Sequence, residues 1–117
     1  MNKTIIIAEA GVNHNGDINV AKRLIDAASG AGVDYVKFQT FKADKLVTKD
    51  AKKANYQSVN TNDEDDSQYG MLKKLELSHQ DHIDLIGYCA QKKIKFFSTA
   101  FDVDGVKYLS DLGLELF

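Results

Sequence analysis

Three short β-prone runs, each closed by polar residues and each leading into helical periodicity, decide what this chain can fold into. Ile5-Ile6-Ile7-Ala8 is unbroken aliphatic sequence, as expected of a parallel strand covered on both faces, and Glu9 stands where it ends. In the run from Asp34 to Thr40 successive side chains point to opposite faces, so Lys37 and Gln39 share one side while Val36 and Phe38 share the other. Lys95-Phe96-Phe97-Ser98-Thr99 is the third run, again β-prone and again closing with hydroxyls. Parallel α/β folds bind ligands at the carboxyl ends of their strands, so Glu9, Lys37, Gln39 and Thr99 are expected to form the floor of a site.

The segments between the runs carry helix signals. Ile18, Ala21, Leu24, Ile25 and Ala28 recur at helical spacing, with Asp17 as N-cap and Gly30 and Gly32 as the stop. Residues 79–93 form a second helix, opened by the capping pair Ser78 and Asp81, with Leu85, Ile86, Cys89 and Ala90 inward and Lys92 and Lys93 at its C-terminal end. A third is capped by Asp102, carries Val106, Leu109 and Leu112, and ends at Gly113; residues 114–117 look like the start of a fourth strand. Repeated strand-then-helix order predicts a parallel sheet with right-handed crossovers.

The pattern stops in mid-course. About three and a half βα units make up the N-terminal portion of a (β/α)8 TIM barrel, which takes roughly 250 residues and removes its sheet edges by closing. Residues 1–117 are therefore expected to be the first part of a barrel domain within a longer chain. A small doubly wound sheet, complete at this length, is the competing architecture.

The stretch of residues 41–68 is long for a βα connection, and residues 60–66 are polar and acidic. It reads either as a solvated loop or as a lid beside the strand ends, with Tyr56, Gln57 and Asn62 as its contact residues. Tyr69, Leu72 and Leu75 then imply a short helix back to the scaffold.

Composition narrows the function classes. With 44% hydrophobic and 27% charged residues the chain reads as one soluble globular domain, and a formal charge of −2 sets up no field that would gather nucleic acid. No membrane span is visible, and the brief apolar stretch before Glu9 is no signal peptide, so a cytoplasmic protein is expected. Cys89 is alone and reads as a small core residue. Gly11 and Gly16 have the spacing of a phosphate loop, but Asp17 and Ile18 occupy the positions that need Lys and Ser or Thr. The turn is instead read as a shaped βα connection, with Asn13 and His14 at its rim and His14 in a structural hydrogen-bonding role. Gly30-Ala31-Gly32 lacks the dinucleotide fingerprint, and no hydrolase motif occurs. His79 and His82 lack a third ligand nearby, so they are read as surface or capping residues, and no metal site is visible.

Glu9 and Lys37 stand apart because a charge inside a closed fold must be paired or face a ligand. One alternative is an internal ion pair that serves stability only. The other is a binding site in which Lys37 is a phosphate-directed point charge and Gln39 and Thr99 add neutral hydrogen bonds.

At these residues the chain closely resembles the sialic acid synthase family. The likeness is carried, in order, by residues 8–16 (AEAGVNHNG), 36–42 (VKFQTFK), 54–57 (ANYQ), 71–77 (MLKKLEL) and 97–102 (FSTAFD). The resemblance implies a TIM barrel followed by a small antifreeze-like domain that reaches into the partner's active site in a homodimer. It also implies condensation of phosphoenolpyruvate with an N-acylated amino sugar such as N-acetylmannosamine, assisted by manganese or magnesium. Carried over by position, Glu9 matches the carboxylate at the sugar and reacting centre, Lys37 and Thr99 the phosphoenolpyruvate subsite, Gln39 a sugar-side hydrogen bonder, and Asn62 the loop asparagine. Ala100 stands where the family usually has proline. The family's two metal-binding histidines, its later phosphate contacts and its swapped domain would lie beyond Phe117, so these residues alone are expected to be inactive. A legionaminic or pseudaminic acid synthase and a non-catalytic half-barrel that assembles through its open edge are the other readings.

Overall fold

A computed structural model describes residues 3–46 and 68–114 of the chain. Its elements, in order, are β1 (Ile7–Gly11), α1 (Ile18–Gly30), β2 (Tyr35–Thr40), α2 (Ala43–Leu46), α3 (Gln68–Leu75), α4 (His79–Gln91), β3 (Lys95–Ala100) and α5 (Val103–Asp111). The strands form one parallel sheet in the order β1-β2-β3. Residues 47–67, which include Tyr56, Gln57 and Asn62, lie outside the described residues, as do the last three of the expected fourth strand.

The helices start where the side chains supply caps. Asp17 accepts from the amide of Asn19, and Asp102 accepts from the amide of Gly105. At α4 the Ser78 hydroxyl accepts from the Asp81 amide while the Asp81 carboxylate accepts from the Ser78 amide, each at 3.0 Å. The expected stop signals also act: α1 ends just before Gly32 at φ 76°, and α5 just before Gly113 at φ 84°. The second helix closes two residues earlier than expected, with Lys93 in the left-handed region at φ 58°.

One face of the sheet is covered by helices and holds the core. Val36, Phe38 and Phe96 pack with Ala21, Ile25 and Ala28 of α1 and Leu85 and Cys89 of α4. Phe38 and Phe96 stack at 5.6 Å between centroids, 12° from parallel. Each fully buried Leu, Ile or Phe here contributes about 1.5–3 kcal/mol over its exposed state. Cys89 sits in this layer as expected, and burial pushes its thiol up to about 12.

Two expectations need correction. The run from Ile5 to Ile7 is not covered on both faces: the three residues are 59%, 54% and 40% exposed among the described residues. Pairing begins only at Ile7, β1 has one strand neighbour among the described residues, and Ile6 is tied instead to the start of β2, its amide donating to the Asp34 carboxylate. The long connection after β2 is also not plain loop throughout, because the single turn of α2 forms directly after the strand, with the Ala43 amide held by Glu76.

Candidate functional site

The face of the sheet opposite the helices is where the polar residues gather. Backbone register settles which side chains share it: Glu9, Lys37 and Phe97 are in line across the three strands, and Gln39 is in line with Thr99. Parallel partners in register point to the same side, so Glu9, Lys37, Gln39 and Thr99 do lie on one face. Level with Glu9 and Lys37, Phe97 meets Tyr35, one step toward the strand starts on the same face, edge to face at 6.1 Å. Glu9, Lys37, Gln39 and Thr99 thus form a polar tier with the two aromatic rings beside it.

Lys37 Nζ lies 3.0 Å from Glu9 Oε2, with the two side chains 30% and 56% exposed. At the exposure seen among the described residues, such an ion pair contributes about 0–1 kcal/mol. Glu9 is also held near Gln39. A Cβ at Gly11 would stand 3.1 Å from Glu9 Oε1 and 3.7 Å from Gln39 Nε2, so both side chains converge on the bare backbone of that glycine. Gly11 has φ 54°, and the register shift between Glu9 and Gly11 turns the strand end into the following turn.

That turn differs from the expected rim. His14 is fully buried, its Nδ1 accepting from the Gly16 amide at 2.9 Å and its ring tilted against Phe38 at 6.1 Å. Burial holds the imidazole below its ordinary pKa, against a smaller opposing pull from Asp81. Asn13 stays exposed, whereas His14 presents nothing to a ligand. The structural role expected for His14 is the one observed. Gly16 packs onto the end of α3, where a Cβ would run into the Lys74 carbonyl oxygen. The amides of Gly16, Asp17 and Asn19 are all taken by His14 and Asp17, so they are not free to cradle phosphate.

The histidine pair is corrected in part. His79 is exposed and its Nδ1 meets the Tyr108 hydroxyl at 2.7 Å, but His82 is 2% exposed and belongs to the interior. Its Nε2 lies 2.8 Å from Thr40 Oγ1, which lies 2.6 Å from Ser98 Oγ, and its Nδ1 lies 2.7 Å from the Ser78 carbonyl oxygen. Sequence reasoning missed this group. The signal was there in part, since His82 continues the Leu85 and Cys89 stripe at helical spacing.

A cavity of about 210 Å³ lies on the helix side, between α2, α4 and α5, lined among others by Thr40, Phe41, His82 and Tyr108. It touches none of Glu9, Lys37, Gln39 or Thr99, and the site is placed by the polar tier rather than by this hollow. Among the described residues no group of three or more His, Cys, Asp or Glu side chains could hold a metal ion. Among the described residues of the polar tier the only carboxylate is Glu9, and Lys37 already pairs with it, so these residues by themselves do not fit a divalent metal.

Residues 24–117 match the model of the NeuB family. The chain belongs to the NeuB family. It is 51% identical over 117 residues to an N,N'-diacetyllegionaminic acid synthase of Campylobacter jejuni, covering 100% of this chain and 35% of that protein. It is 53% identical over 110 residues to the enzyme of the same name in Legionella pneumophila, covering 94% and 31%. Among solved structures it is similar to the N-acetylneuraminic acid synthetase of Leptospira borgpetersenii, in complex with citrate: TM-score 0.75, 34% identity, 98% of this chain and 35% of that one. The chain thus spans about a third of the length of these NeuB relatives.

Proposed function

We propose that this chain supplies part of the active site of a NeuB-type synthase that joins phosphoenolpyruvate to an N-acylated amino sugar, giving a nine-carbon sugar acid and phosphate. The observation that carries the reading is Lys37 held 3.0 Å from Glu9 on the face that register also assigns to Gln39 and Thr99. In this reading Lys37 is the point charge for the anionic groups of phosphoenolpyruvate, and the Thr99 hydroxyl donates to the same substrate. Glu9 fixes the Lys37 ammonium and accepts from a sugar hydroxyl, while the Gln39 amide orients the sugar from its own side. The enol carbon attacks the open-chain aldehyde and forms the new C–C bond as the aldehyde oxygen takes a proton. Water adds to the resulting oxocarbenium carbon, and phosphate leaves with cleavage of its C–O bond. Fixed charges aligned before reaction are what such a step needs from the protein.

The same proposal takes the three-stranded sheet as the first part of a (β/α)8 barrel, with the polar tier at its carboxyl-end mouth. Support comes from the likeness to the Leptospira synthetase over 98% of this chain. A manganese or magnesium ion, a cytoplasmic setting and a homodimer belong to the proposal too; any metal would draw its ligands from outside the described residues. Among those residues no helix is long and apolar enough to cross a membrane.

One observation favours a narrower sugar class. Identity is 51% and 53% to the two legionaminic acid synthases but 34% to the N-acetylneuraminic acid synthetase. The test is phosphate release by the full-length protein given phosphoenolpyruvate, a divalent metal and either N-acetylmannosamine or the diacetamido sugar precursor of legionaminic acid. Release that depends on both substrates, with the diacetamido sugar winning in competition, is expected. No release with any acylamino sugar would remove the reading.

A further inference from the structure

The helix-covered side of the sheet is apolar along most of its length, with Val36, Phe38 and Phe96 against Ile25, Leu85 and Cys89. It changes character at the strand ends. Ser98, Thr40 and His82 are 0%, 6% and 2% exposed there, and they form one hydrogen-bonded chain that stops at the Ser78 carbonyl oxygen.

The direction of each bond follows from that last acceptor. A carbonyl oxygen can only accept, so His82 Nδ1 carries a proton, and in the neutral ring Nε2 is then an acceptor. Burial holds the imidazole below its ordinary pKa, which keeps it neutral. Thr40 therefore donates to His82, and Ser98 donates to Thr40. Every link has one donor and one acceptor.

We propose that the Ser98–Thr40–His82 chain is a positioning device for the substrate face. Gln39 and Thr99 are register partners on the open side, Thr40 follows the first and Ser98 precedes the second. Because neighbours on a strand point to opposite faces, a bond between Thr40 and Ser98 behind the sheet fixes the separation and rotation of the backbone that carries Gln39 and Thr99 in front. His82 ties both strand ends to the start of α4, where Ser78 is the N-cap. Replacing all partners of a buried hydrogen bond together by apolar groups of the same shape can be nearly neutral in stability, so what the polar chain supplies is direction.

This inference rests on the functional reading above, and the experiment separates the two. In the full-length protein, Thr40→Val keeps the volume and removes the middle hydroxyl, Ser98→Ala trims one end, and Thr40→Ser restores the hydroxyl. The expected result is a fall of about tenfold or more in kcat/KM for Thr40→Val, with a raised KM for the substrates that Gln39 and Thr99 hold, since small misplacements of binding groups cost rate steeply. Ser98→Ala should fall less, Thr40→Ser should recover most of the loss, and the melting temperatures should not account for the order. Unchanged kinetics in Thr40→Val, or losses in both Thr40→Val and Ser98→Ala that simply follow a lowered melting temperature, would overturn the inference alone. Absence of turnover in the unaltered protein would overturn the functional reading and this inference with it.

Discussion

At the scale of single residues, the same few side-chain types do opposite work depending on which face of the sheet they meet. Lys37 and Glu9 are paired yet open, so screening leaves the ammonium available to an anion. His82, one layer behind, is closed off and neutral. Its pKa lies below the ordinary 6.5, chiefly through burial; the Ser78 carbonyl and Asp81 oppose that shift, while Lys42 and His79 add to it. His14 is lowered in the same sense. A histidine that stays neutral in the folded state but protonates at its ordinary value when unfolded makes the unfolded chain bind more protons, so stability falls as pH drops below 6.5 and levels off beneath the folded-state value. Urea midpoints of the full-length protein should therefore fall between about pH 7 and pH 5, and less steeply in His82→Gln. An equal slope in the variant would show that His82 does not titrate as described. The shared face of Glu9, Lys37, Gln39 and Thr99 was legible in the sequence, because parity along a strand is a local property. The interior place of His82 was not, because its partners come from residues 40, 78 and 98 and only the fold brings them together.

Among the elements, the helices were the most legible because their ends are written in caps that act within a few residues. Asp17, Asp102 and the Ser78 and Asp81 pair all cap where the sequence places them. The Ser78 and Asp81 pair also has a consequence beyond α4, since Ser78 is the far anchor of the buried chain through its carbonyl oxygen. Ser78→Ala removes the hydroxyl and leaves that carbonyl in place, so it should cost about 1 kcal/mol in urea unfolding with kcat/KM nearly unchanged. A large kinetic loss from this variant would mean that the cap side chain, and not the carbonyl, sets the position of His82. The strands were legible in type and less so in cover. An aliphatic run such as Ile5 to Ile7 signals burial only when a neighbour lies against it, and β1 pairs with β2 on one edge and with no other strand among the described residues. The single turn of α2 is too short for any periodicity to announce it.

At the largest scale, the three parallel strands of the described residues give a surface with two unlike sides: a helix-packed core and a tier of one glutamate, one lysine, one glutamine and one threonine beside aromatic rings. The open tier is where phosphoenolpyruvate is proposed to be held, and binding can be measured without turnover. Titration of phosphoenolpyruvate into the full-length protein should give a Kd about tenfold or more weaker in Lys37→Ala, the loss of one charge-assisted contact, with the melting temperature little changed. Equal affinity in Lys37→Ala and the unaltered protein would contradict the account.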